Sequence, residues 1–126
     1  MKLDYISNIN THGDNVVRLY DFDRSQAEKF YHLIEKTIVT DQQELALTSV
    51  DFIEARNCSL TLRLSEEDTG ITAFSKKSFV CELTLAGYRQ MLVLLEPFCK
   101  RETKGYQWLY DVDSSTDLLF SPAGTW

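Results

Sequence analysis

The most apolar stretch of the chain spans residues 84–99, and it constrains the fold more than any other feature. Its large apolar residues recur at steps of three and four, which is the spacing of one face of an α-helix. These residues are Leu85, Tyr88, Met91, Leu92, Leu95 and Cys99. Val93 and Leu94 widen the apolar face, so this helix has to be covered by a sheet or by another helix. Thr84 is a suitable N-cap, and Pro97 predicts that the helix ends or kinks just before it.

A second, amphipathic helix is predicted directly after the strand Val16–Phe22. Ser25 with Glu28 and Asp23 with Gln26 form two competing capping boxes at its start. The apolar residues of its buried face are Ala27, Phe30, Tyr31, Ile34 and Ile38. A helix with one apolar and one charged face is expected to lie on the surface of a sheet.

Short strands flank both helices and define the fold class. Residues Cys58–Leu64 alternate apolar and polar side chains, which is typical of an antiparallel sheet that is covered on one side. The chain therefore predicts a single α+β domain over residues 1–126, with a mainly antiparallel β-sheet and two α-helices packed on one face. Strand, helix, strand and strand occur twice, and aligning Asp23 with Thr84 superposes the two apolar helix faces. The sequence is therefore also compatible with a duplicated β-α-β-β unit.

The composition argues against several function classes. The 126 residues carry a formal net charge of −6 without a basic cluster, which disfavours nucleic acid and an anionic membrane as partners. No apolar run approaches the ~18 residues of a membrane span, and the first residues lack the apolar segment of a signal peptide. Cys58, Cys81 and Cys99 are far apart and fall on apolar faces, which predicts buried free thiols and a cytoplasmic protein.

Signatures of catalysis and of cofactor binding are absent from the sequence. The motifs GxSxG, GxGxxG and GxxxxGK[ST] do not occur, and the two histidines, His12 and His32, are expected in a turn and on a solvated helix face. The acidic turn Asp111–Asp117 lacks the glycine and the glutamate that a calcium loop requires. We therefore expect no catalytic activity, no cofactor and no metal site.

A small-molecule pocket or a small enzyme is the alternative that the residues leave open. Asp21 and Asp23 flank Phe22, so a strand would place both carboxylates on the same side. Together with His12 they could line a cleft at the sheet edge and act as an acid/base pair or hold a ligand. Asp23 is also a capping residue, which favours a structural role for it.

Aromatic residues near the C-terminus carry the main functional prediction. Trp and Tyr contribute much of the binding energy at protein interfaces, because each combines a large apolar surface with a polar group. Trp108, Tyr110, Phe120 and Trp126 are therefore predicted to contact a protein partner or a second copy in a homodimer. A core position for Trp108 is the competing interpretation. The acidic charge of the chain would steer it towards a basic partner.

Overall fold

Nine β-strands and two α-helices form the part of the chain that the structure, a computed structural model, describes: residues 1–7, 15–110 and 116–123. The helices are α1 (Arg24–Ile34), which continues as a π-helical segment over Glu35–Thr40, and α2 (Leu85–Lys100). The strands are β1 (Lys2–Ile6), β2 (Asn15–Tyr20), β3 (Leu45–Ala46), β4 (Glu54–Ala55), β5 (Ser59–Leu64), β6 (Gly70–Ser75), β7 (Ser78–Leu83), β8 (Gln107–Tyr110) and β9 (Thr116–Ser121). A 3₁₀ turn covers Leu47–Ser49.

The strands form two mixed sheets, with the orders β4-β1-β2-β9-β8 and β3-β5-β7-β6. The pairs β1–β4, β2–β9 and β5–β7 are parallel, and the other four pairs are antiparallel. The chain is therefore a single α+β domain with two helices, as predicted. Side-chain alternation indicates that one face of a strand is buried, but it does not reveal the direction of the neighbouring strand, so the parallel pairs were not anticipated.

Both halves of the chain repeat the same order of elements: a hairpin, a helix and two further strands. The first half is β1-β2-α1-β3-β5, with β4 as an addition, and the second half is β6-β7-α2-β8-β9. The last strand of each half pairs in parallel with the hairpin of the other half, β5 with β7 and β9 with β2. Asp23 and Thr84, which the sequence alignment superposed, are the two N-caps. The repeat thus begins one strand earlier than the β-α-β-β unit that the sequence suggested, and the two halves exchange their last two strands, β3 and β5 for β8 and β9.

The first turn of α1 is fixed by Asp23 and Gln26. Asp23 Oδ1 accepts a hydrogen bond from the Gln26 backbone N–H at 2.8 Å, and Gln26 Oε1 accepts from the Asp23 N–H at 3.4 Å. Of the two predicted capping boxes this one forms. The predicted inward face is confirmed, since four of its five residues are buried and Tyr31 is half-buried. Ile38 remains buried through the π-helical segment.

Helix α2 begins where the sequence predicted and extends further. Thr84 Oγ1 accepts from the Gly87 N–H at 3.1 Å, which satisfies one donor of the first turn. The helix does not end before Pro97 but runs on to Lys100. Pro97 lies on the exposed side of the helix, next to Val93, whose carbonyl loses its usual partner there and can be solvated. The buried face consists of Tyr88, Met91, Leu92, Leu95 and Phe98.

Tyr88 joins α2 to the parallel pair of strands beneath it. Its side chain is fully buried, and its hydroxyl group donates to the carbonyl oxygens of Arg63 on β5 and Cys81 on β7, both at 2.8 Å. Burial raises the pKa of this phenol far above its ordinary value, so it stays protonated and remains a donor. A single hydroxyl group therefore holds together elements from both halves of the chain.

No helix in the described part of the chain is long and apolar enough to span a membrane.

Truncation of the buried face of α2 should be costly. Leu95 is fully buried, whereas Arg89 on the same helix is exposed. Leu95→Ala should lower the free energy of unfolding by about 2–5 kcal/mol, because it leaves a cavity in a packed core. Arg89→Ala should change it by less than about 0.5 kcal/mol. Urea denaturation measures both values, and equal losses at the two positions would contradict this description of the helix.

Candidate functional site

A groove of about 350 Å³ lies between the first turns of α2 and the edge strand β8. Ala86, Gly87 and Gln90 form its helical side, and Trp108 and Tyr110 belong to the strand across from them. The remaining lining residues are Asp68, Leu83, Leu94 and Leu109. Ala86 has a small side chain and Gly87 has none, so the helix does not fill the space beside the indole ring of Trp108.

Asp68 closes one end of the groove and helps to cap α2. Its Oδ1 accepts from the backbone N–H of Thr84 at 2.8 Å and from the Thr84 hydroxyl group at 2.9 Å. A carboxylate in this position is favoured by the positive end of the helix dipole. A Cβ atom on Gly87 would come within 2.6 Å of Asp68 Oδ1, so a glycine is needed for this close approach.

Tyr110 is held in place by the same loop. Its hydroxyl group donates to the backbone carbonyl of Asp68 at 2.9 Å. Its ring lies over Gly70, where a Cβ atom would be only 2.2 Å from Tyr110 Cε1. Gly70 also has a positive φ of 82°, which a residue with a side chain rarely adopts. Gly70 and Tyr110 therefore form an interlocked pair beside the groove, with Tyr110 as the member that lines it.

Exposed apolar side chains extend this site beyond the groove. Val93 is 58% exposed and Tyr106 is 50% exposed. The Tyr106 ring packs edge-to-face on Trp108, with 6.0 Å between the ring centroids. A second cavity of about 360 Å³ lies further along α2 and is lined by Val93, Glu96, Pro97, Lys100 and Arg101. Residues three and four apart are neighbours on a helix, so the two cavities adjoin between Gln90 and Val93. We call the groove, this cavity and Tyr106 the α2–β8 surface.

The structure brings two of the four predicted aromatic residues together. Trp108 and Tyr110 both line the groove. Phe120 instead lies in the core with no exposed surface, where it stacks on Phe22 with a centroid distance of 4.0 Å. Strands β8 and β9 are paired, but Trp108 lies opposite Leu119 and Phe120 lies opposite Gln107, so the side chains of Phe120 and Trp108 project from opposite faces of the sheet. Trp126 lies outside the described residues.

The predicted carboxylates are both engaged in structural contacts. Asp21 Oδ2 is 2.9 Å from Lys2 Nζ, and this cation lowers the pKa of the Asp21 carboxyl group. Asp23 caps α1. Neither aspartate lines the groove or the adjoining cavity. His12 lies outside the described residues, and no group of three or more metal-ligating side chains occurs within them.

Sequence reasoning missed three residues that shape the groove: Asp68 and Gly87, which line it, and Gly70, which lies against Tyr110. Each depends on a contact between residues that are distant in the chain, such as the 42-residue separation of Asp68 and Tyr110. The available signals were Gly70, directly after an acidic turn, and Gly87, inside the predicted helix. Glycine without a tight turn to explain it often marks a close approach of other atoms.

A counterpart of the groove lies in the first half of the chain. This cavity of about 660 Å³ has Leu33 of α1 on one side and Leu45 and Ala46 of β3 on the other. Leu33 corresponds to Leu94 in the alignment of the two helices. The flanking residues differ, because here the half-buried Phe52 and the acidic Glu44 take the place of the Trp108–Tyr110 wall.

The cysteine thiols are poor nucleophiles in this environment. Cys58 and Cys81 are buried and Cys99 is half-buried. Burial raises the pKa of Cys58 and of Cys99 to about 11 and that of Cys81 to about 12. The reactive thiolate form is therefore scarce near neutral pH.

Gly70 and Gly105 both have a positive φ, but only Gly70 lies against Tyr110. Alanine substitutions at the two positions should therefore lower the free energy of unfolding by different amounts. Gly105→Ala should lower the free energy of unfolding by about 1 kcal/mol, because only the left-handed backbone is strained and open space surrounds the new methyl group. Gly70→Ala should lower it by about 2–4 kcal/mol, since Tyr110 must also move. Chemical denaturation compares the variants, and equal losses would show that Tyr110 does not press on Gly70.

Thiol accessibility provides a second test. A thiol reagent should label Cys58 and Cys81 in the native protein only slowly, at the rate of opening of the structure. The same reagent should label all three cysteines rapidly in denaturant. Mass spectrometry at intervals follows the reaction, and rapid labelling of native Cys81 would contradict its burial beneath Tyr88.

No protein-family model matches this chain, and neither a curated protein nor a solved structure is significantly similar to it. Proposals about its function therefore depend on its own residues.

Proposed function

We propose that this protein is a non-catalytic binding domain that holds an apolar segment of a partner protein on the α2–β8 surface. The observation that carries the proposal is an aromatic groove, walled by Trp108 and Tyr110, that continues into exposed Val93 and Tyr106. Contiguous exposed apolar surface is uncommon away from interaction sites. Aromatic side chains held rigidly in such a groove supply most of the binding energy at interfaces. The three free thiols support a cytoplasmic location.

The polar groups of the groove support binding through apolar contacts. Asp68 Oδ1 already accepts two hydrogen bonds from Thr84, and the Tyr110 hydroxyl group already donates to the Asp68 carbonyl. These groups stabilise the walls and do not point to chemistry on a substrate. A partner side chain of Leu, Met or Phe type would gain by displacing water from the floor of the groove.

Charge supports a basic partner. The chain has a formal net charge of −6, and the loop that closes the groove contains the exposed Glu66 and Glu67 next to Asp68. The negative charges of this loop would repel acidic segments of a partner and accelerate the approach of basic segments. We therefore expect the part of the bound segment at the Asp68 end of the groove to carry Lys or Arg residues beside its apolar anchor, because the cavity at the other end is itself lined by Lys100 and Arg101.

A small apolar ligand in the same groove is the second candidate. The volume of about 350 Å³ falls at the lower end of the range for small-molecule pockets, about 300–1,000 Å³. The earlier alternative, a cleft built from Asp21, Asp23 and His12, has less support, because both aspartates are engaged in structural contacts.

Peptide selection followed by mapping tests the proposal. Peptides selected from a random library on the immobilised domain should share an apolar anchor, and in NMR titrations they should shift the resonances of Gln90, Val93 and Trp108. Val93→Asp and Trp108→Ala should each weaken binding tenfold or more, which corresponds to about 1.4 kcal/mol. His32→Asp is the matched control, because His32 is exposed and aligns with Val93.

Equal affinity of the wild type and Val93→Asp would contradict the proposal, as would peptides that map to another surface. Apolar fragments that bind in the groove while library peptides do not would favour the small-ligand candidate.

A further inference from the structure

We propose that the partner segment binds as an added β-strand along the outer edge of β8. This inference rests on the function proposed above and specifies the backbone conformation of the bound segment. Strand β8 is the last strand of the five-stranded sheet, and β9 is its only neighbour among the described strands. The groove lies beside β8, so a segment that fills the groove also meets the backbone of this strand.

The groove extends across the edge of the sheet and is not confined to one of its faces. Trp108 pairs with Leu119 and Tyr110 pairs with Leu118, and paired residues project from the same face. Leu118 and Leu119 are neighbours on β9 and project from opposite faces, so Trp108 and Tyr110 do so as well. Trp108, Leu109 and Tyr110 all line the groove, which therefore includes the edge of β8.

The hydrogen bonds of β9 determine which backbone groups of β8 point to this edge. The Ser121 carbonyl accepts from the Asp21 N–H at 3.1 Å, so the backbone polar groups of Ser121 are directed towards β2. These groups alternate in direction along a strand, which directs those of Leu119 to β2 and those of Phe120 to β8. Trp108 lies opposite Leu119, so its own N–H and carbonyl point away from β9 to the outer edge.

The Gln107 side chain agrees with this direction and marks a hydrogen-bonding position on the edge. Its Nε2 atom donates to the Trp108 carbonyl oxygen at 2.9 Å. An added strand can replace this side-chain amide with a backbone N–H, and one of its carbonyls can accept from the Trp108 N–H. Strand addition therefore gains main-chain hydrogen bonds at the same residue whose indole ring supplies apolar contact.

The dimensions of the groove favour an extended segment over a helical one. Ala86, Gln90 and Leu94 follow each other at four-residue steps and form one row on α2, about 12 Å long. An extended segment of four residues spans about 13 Å. A volume of about 350 Å³ over the length of the row corresponds to a cross-section of about 30 Å², whereas a helix with its side chains is about 10–12 Å across.

The acidic loop specifies the chemistry of the added strand. Tyr110 donates to the Asp68 carbonyl, so this loop lies beside the end of β8. Glu66 and Glu67 on the loop are exposed, and no ion pair within the described residues involves them. A Lys or Arg residue at that end of the added strand would be attracted to them. The occupant is therefore an extended apolar segment of a partner protein with a basic residue at one end.

Hydrogen exchange of the Trp108 backbone amide tests the proposal. The probe is the tightest peptide from the library selection described above, added at saturation to the full chain. NMR spectroscopy should show that the Trp108 N–H exchanges at least tenfold more slowly in the complex, because it then donates to the backbone of the peptide. A scalar coupling between the Trp108 amide nitrogen and a labelled peptide carbonyl should identify the acceptor directly.

N-methylated versions of the same peptide provide matched controls. Each carries one N-methyl group, which removes a single backbone donor and leaves every side chain in place. Because backbone groups alternate in direction along a strand, methylation of the residue that faces β8 should weaken binding tenfold or more. Methylation of either neighbouring residue should change the affinity less than about threefold. Isothermal titration calorimetry measures these affinities.

Two different failures can be distinguished. A peptide that shifts Gln90 and Val93 while the exchange of the Trp108 amide stays unchanged would overturn strand addition and leave the proposed function intact. Losses of affinity that do not alternate along the peptide would have the same meaning. Peptides that map to another surface would overturn both proposals.

Discussion

The parallel pairing of β2 with β9 and of β5 with β7 is the constraint on which the rest of this structure depends. Each sheet joins the hairpin of one half to the last two strands of the other half, so neither half has a complete sheet of its own. The hydroxyl group of Tyr88 reinforces one of these junctions from the helix above, by bonding to backbone carbonyls on β5 and β7. Burial of apolar side chains supplies the driving force, while these contacts select one arrangement of strands.

The sequence was informative about elements and about which of their faces are buried. The apolar periodicity of both helices, the caps Asp23 and Thr84, and the buried side of β5 follow from local patterns, and the structure confirms them. The continuation of α2 through Pro97 was not predictable, because it depends on that residue lying on the exposed side. The exchange of strands could not be predicted either, because hydrophobic alternation is identical for either choice of neighbour.

The groove likewise contains some residues that the local sequence identifies and others whose roles depend on contacts between distant parts of the chain. Residue type alone identified Trp108 and Tyr110 as candidates, and both line the groove. Their geometry depends on Asp68, Gly70 and Gly87, whose roles arise only when the loop before β6 meets β8 and α2.

The exchange of strands also determines when the fold can form during synthesis. The hairpin β1–β2 leaves the ribosome long before its parallel partner β9, since Asn15 pairs with Thr116. Closing so long a loop costs entropy before the contact contributes, and folds dominated by such distant contacts fold slowly. Until β9 arrives, the inner edge of β2 is uncovered, and an uncovered edge is where nascent chains aggregate. The five-stranded sheet can therefore be completed only after Thr116–Ser121 have been synthesised.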